Sequence, residues 1–125
     1  MTIAVKECLP ILSFVEQMRF ALFSNAVRVD EDEWWRHWYE LSVHLYPRGL
    51  EENNIWIEAG GDLADRRGET PREEWRSALD GLRKGAGSYY MTIPGLLHQM
   101  RRDYPNNGDL ELLESVYSRY LDRRW

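Results

Sequence analysis

Apolar residues recur every three to four positions along most of this chain, and no long stretch alternates with period two, so the pattern predicts helices throughout. Residues 3–24 read as a first helix, with Ile3, Leu9, Leu12, Val15, Met18, Ala21 and Leu22 at helical spacing and Phe14, Phe20 and Phe23 widening the apolar surface beyond one stripe. Pro10 lacks an N–H and clashes with the preceding turn, so the regular helix is expected to start near it. After a connector from Asn25 to Val29, Asp30-Glu31-Asp32-Glu33 places negative charge at a helix start, with Asp30 and Glu33 at capping-box spacing. The helix they open runs to about Leu45 on a stripe of Trp34, Trp38, Leu41 and Leu45. A further start signal is Thr70-Pro71-Arg72-Glu73, followed by inward positions Trp75, Ala78, Leu79 and Leu82 and a stop at Gly85-Ala86-Gly87. Ser88 to Met91 reads as an extended connector, Thr92 begins another helix with Ile93, Leu96, Leu97 and Met100 inward, and Tyr104-Pro105-Asn106-Asn107-Gly108 ends it. Asn107 or Asp109 caps the last helix, whose stripe is Leu110, Leu113, Val116 or Tyr117, and Tyr120 or Leu121. The expectation is an all-α fold, a compact bundle of about five helices in a single domain spanning 1–125. Its core is drawn from Leu12, Val15, Trp38, Leu41, Trp56, Trp75, Leu79, Leu97 and Leu113.

The stretch Tyr46 to Gly61, YPRGLEENNIWIEAGG, interrupts this regularity. Pro47 and Gly49 break the helix before it, Gly60-Gly61 closes it, and Leu50, Ile55, Trp56 and Ile57 crowd large apolar groups between these turns. A short aromatic element between two forced turns predicts a central packing plug rather than a surface loop.

Composition narrows the class. Six Trp and seven Tyr let few residues bury much area, while 30% charged residues and a mean hydropathy of −0.61 suit a well-solvated exterior. No apolar run approaches the ~18 residues of a membrane span, and the start carries no convincing secretory leader. Cys8 is the only cysteine, which excludes an intramolecular disulfide and agrees with a cytoplasmic location. Net charge is −5, and residues 101–125, the most basic-looking piece, hold five Arg against five Asp/Glu, which argues against a nucleic-acid footprint. Arginine outnumbers lysine 14 to 2, a bias better attributed to a GC-rich genome than to interface chemistry.

Candidate chemistry is thin. His37 lies within helical reach of Glu33 and Glu40, but solvated ion pairs explain the group better than a ligand cluster. Gly60-Gly61-Asp62 lacks the longer glycine-rich loop, Lys and Ser/Thr of a phosphate cradle. Cys8 has no histidine near it in sequence, and the paired carboxylates sit at helix starts or on helix surfaces. The reading is therefore a protein that is not an enzyme, with no catalytic, cofactor-binding or metal-ligating residues.

The order LYPRG…IWIEAGGDL, then TPREEWRSALDGLRKGAG, then LLHQMRRDYPNNGDLELL, resembles the small helical effector-associated domains of bacterial conflict systems over residues 45–113. The resemblance rests on tryptophans, glycines and the YPNN turn, a packing pattern that carries no residues of named role. It implies a death-fold-like adaptor, stand-alone or excised from a longer chain, that recruits or clusters an effector by pairing with its own kind. The partner would be a protein, a same-type domain or an effector, with a homo-oligomer as the outcome and neither nucleic acid nor membrane involved. On the residues themselves, the contact is expected on Phe14, Phe20 and Phe23 with Arg19 and Gln17 as a polar rim, and on Arg119, Arg123 and Arg124 of the last helix as a complementary surface for head-to-tail assembly. The alternatives are an immunity-type inhibitor that binds one toxin, and a small enzyme or ligand-binding domain.

Overall fold

Most helix ends lie where short-range chemistry sets them. In the computed structural model, which describes residues 3–4, 14–23, 27–85 and 91–122, the α-helices are α1 (Phe14–Phe23), α2 (Glu31–Leu45), α3 (Ile55–Glu58), α4 (Pro71–Lys84), α5 (Ile93–Asp103) and α6 (Gly108–Val116), the last running on into a π-helical turn, Tyr117–Leu121. Asp30 Oδ1 accepts the Glu33 N–H at 3.1 Å, Thr70 Oγ1 that of Glu73 at 3.2 Å, and Thr92 Oγ1 that of Gly95 at 3.0 Å, so three helices start on side-chain caps. The Glu73 carboxylate reaches back one residue further than in the usual capping box and accepts the Glu69 N–H at 2.7 Å. Among the described residues the fold is all-α, with five helices of nine residues or more.

The first predicted helix is shorter than its apolar pattern. Ile3–Ala4 is a strand, paired in parallel with Val27–Arg28, with Ile3 opposite Val27 and Ala4 opposite Arg28. Helical spacing therefore misassigned Ile3, and the Asn25–Val29 connector holds the partner strand. At two residues each, these strands form no layer of their own. Leu12 lies outside the described residues.

The backbone separates into two compact units, Met1–Trp38 with Gly108–Trp125, and Tyr39–Asn107. In the first, α1 packs along α6, and Met18, Trp34, Trp35, Trp38, Leu110, Leu112, Leu113 and Val116 are buried. Trp34 is the centre of this set: it meets Trp35, Trp38 and Tyr117 at ring-centroid distances of 5.2, 5.2 and 5.5 Å. Its indole N–H, inaccessible to water, donates to the Leu113 carbonyl at 3.2 Å, which satisfies the one polar atom that burial of the ring would otherwise leave unpaired.

The second unit is built on the predicted plug. Trp56 is 1% exposed and meets Trp75 edge-on, at 6.4 Å and 82°. Trp75 in turn donates its indole N–H to the Tyr46 carbonyl at 3.1 Å, tying α4 to the turn that opens the plug. Gly49, at φ +95°, places the next N–H, that of Leu50, on Glu74 Oε1 at 3.3 Å, and a Cβ at Gly49 would lie 2.5 Å from that same oxygen. The plug closes in a Schellman motif: the Gly60 N–H donates to Ile57 O at 3.0 Å and the Gly61 N–H to Trp56 O at 2.8 Å, with Gly60 at φ +103°. Tyr46 donates its hydroxyl to Asp103 Oδ2 at 2.7 Å, and Tyr104 donates to the Leu45 carbonyl at 2.9 Å, joining α5 to the start of the plug. Burial, and then the Asp103 carboxylate, push the Tyr46 phenol well above its ordinary pKa, so it stays a donor at any ordinary pH. Of the predicted core, Trp38, Leu41, Trp56, Trp75, Leu79, Leu97 and Leu113 are buried, and Val15 is half-buried.

Candidate functional site

The described residues among the predicted contacts, Phe14, Arg19 and Arg119, fall in the first unit, where Arg119 and Phe14 each meet a residue outside that set. Arg119, exposed on the π-helical turn, donates a guanidinium N–H to the Leu22 carbonyl in the last turn of α1, at 2.6 Å. The last four carbonyls of a helix have no intrahelical donor and carry the negative end of its dipole, so a guanidinium is the natural partner there. The same side chain lies over the Tyr120 ring, 5.6 Å from its centroid. Arg19 is exposed three residues before Leu22, on the same side of α1. Arg119 and Tyr120 thus meet at the end of α1, with Arg19 and Arg119 exposed and Leu22 and Tyr120 half-buried. Arg119 of the last helix therefore reaches the end of α1 within one molecule. The side chains of Gln17, Phe20 and Phe23, and the whole of Arg123 and Arg124, lie outside the described residues.

Phe14 belongs to a different contact. It is half-buried and meets the His37 ring edge-on, at 5.9 Å and 62°. The expectation that His37 takes part in solvated ion pairs is corrected by this packing. Its ring is half-buried, its Nε2 is shut off from solvent without a hydrogen-bond partner, and burial holds its pKa below 6.5 against the opposing pull of Asp109. The glutamates expected beside it pair elsewhere, Glu33 with Arg36 and Glu40 with Arg72 at 3.1 Å. Among the described residues no three His, Cys, Asp or Glu side chains come together as metal ligands, and no helix is long and apolar enough to cross a membrane.

A second surface was not anticipated. Asn53 and Asn54 both adopt left-handed backbone conformations, φ +54° and +53°, just before α3. L-residues pay steric energy there, least for Asn, so the Asn-Asn pair was the available sequence signal. Those two residues turn α3 so that Ile55 and Trp56 go inward while Ile57, counted from the sequence as part of the plug, is 47% exposed. It is the one large hydrophobic side chain that stands out to solvent among the described residues. Asn53, Asn54 and Glu58 around it are exposed.

No protein-family model, curated protein or solved structure matches this chain.

Proposed function

We propose that this chain is a noncatalytic interaction module, a death-fold-like adaptor that recruits or clusters an effector of a bacterial conflict system by pairing with copies of its own kind in the cytoplasm. The observation that carries the reading is the surface formed where Arg119 clasps the end of α1 and lies over Tyr120, with Arg19 exposed three residues before Leu22 on the same helix. Arg and Tyr are the residue types most enriched where protein contacts gain their energy, because each offers a large rigid area with a polar end. Holding Arg119 against a helix terminus and a ring also reduces the ordering cost of binding. A contact between two copies of one such face would be isologous and close as a dimer, whereas pairing with a different face would leave an open chain of copies.

The test is light scattering on the purified chain from micromolar to near-millimolar concentration, for the wild type and for Arg19→Glu, a substitution at an exposed position. A wild-type mass that rises with concentration, and a variant that remains monomeric with an unchanged circular dichroism spectrum, supports the reading. A wild type that stays monomeric throughout refutes homotypic pairing and leaves a heterotypic partner, as an inhibitor of one toxin would have.

A further inference from the structure

His37 sits where a neutral imidazole is tolerated and a charged one is not. Its ring lies edge-on to Phe14, the first residue of α1, with centroids 5.9 Å apart, and its Nε2 is buried without an acceptor. An imidazolium carries a proton on both nitrogens and needs an acceptor or water at each, so protonation here would strand a charged donor against an aromatic ring. The charged groups around it do not relieve this. On α6, Asp109 favours the charged form, but less than burial disfavours it. On α1 the described charged side chains, Glu16 and Arg19, are exposed, and along α2 Glu33 is held by Arg36 and Glu40 by Arg72.

We infer that protonation of His37 loosens the Phe14 end of α1 from the His37 ring on α2 and from α6, along which α1 also packs, so that this end of the helix is docked near neutral pH and released in acid. The Arg119 clasp at Leu22 holds the opposite end, which makes release begin at Phe14. The sign comes from linkage: with α1 undocked His37 regains the ordinary value of 6.5, above its docked value, so the open state binds more protons. Docking is therefore fully favourable above pH 6.5 and weakens as pH falls from 6.5 to the docked pKa, by at most about tenfold in the open population per pH unit. The device operates whether or not the Arg19–Arg119 surface binds another copy.

Amide hydrogen exchange of the full chain between pH 5 and 8, corrected for intrinsic rates, reads the docking directly. Expected is a loss of protection confined to α1, up to about tenfold per pH unit below 6.5, with α4 unaffected, and no such loss in His37→Phe. The same pH dependence in the variant, or none in the wild type, overturns the inference. Should the variant not fold, an NMR titration of the wild-type His37 ring decides alone: an apparent pKa at or above 6.5 overturns it, and one below 6.5 that moves with α1 protection supports it.

Discussion

One methyl group added at two glycines should move stability in opposite directions. Gly61 lies against the plug: a Cβ there would stand 2.3 Å from Trp56 Nε1, 2.5 Å from Trp56 Cδ1 and 2.7 Å from Met91 Cε. Carbon contacts are comfortable at about 3.5–4.0 Å, so each overlap is about an ångström or more. The end of the Met91 side chain can swing away, but the Trp56 ring cannot, because it is 1% exposed and backed edge-on by Trp75, which is itself fixed by its bond to the Tyr46 carbonyl. Overpacking of this kind typically costs about 1–3 kcal/mol, and with a clamped ring Gly61→Ala belongs at the upper end. Gly81 sits inside α4 with nothing within 4 Å of the position its Cβ would take, so Gly81→Ala removes only the entropic disadvantage of a helical glycine and should stabilise by about 0.5–1 kcal/mol. Urea unfolding monitored by tryptophan fluorescence measures both, and thermal melts should separate the two proteins by roughly 10–15 °C on the size scaling for a chain of this length. A Gly61→Ala protein within about 0.5 kcal/mol of wild type, below the usual overpacking cost, would show that Trp56 is not held as described.

Trp56→Ala should cost about 3–5 kcal/mol, as for other buried aromatic truncations, and a fall in melting temperature no larger than that of Glu58→Ala would place the ring outside the core. Thr70→Ala removes the acceptor of the Glu73 N–H and should lower stability by about 1 kcal/mol in the same urea assay, whereas Thr70→Ser should retain most of it. At Asn54, with φ +53°, Ala should be less stable than Gly by about 1 kcal/mol, and equal stabilities would mean that the turn relaxes out of the left-handed region.

The helical architecture was legible because its determinants are local. Asp30, Thr70-Pro71 and Thr92-Pro94 start helices with bonds that span three residues, and the Trp34, Trp38, Leu41 and Leu45 stripe declares its buried side through period alone. The glycine stops at 60 and 85 are local in the same sense, since a positive φ is a property of one residue. Only the tertiary structure decided features that depend on residues distant in the chain. Ile3–Ala4 became a strand because Val27–Arg28 supplies its hydrogen bonds, which no pattern within residues 3–24 can report. Ile57 faces solvent because one turn of helix entered through two left-handed asparagines has room to bury only some of its side chains. His37 lost its solvated partners because Phe14 packs on it from 23 residues away, and Arg119 found the end of α1 from 97 residues away. Sequence spacing ranks what one helix can present; which of those groups ends up desolvated, clasped or exposed depends on the neighbour that arrives from elsewhere in the chain.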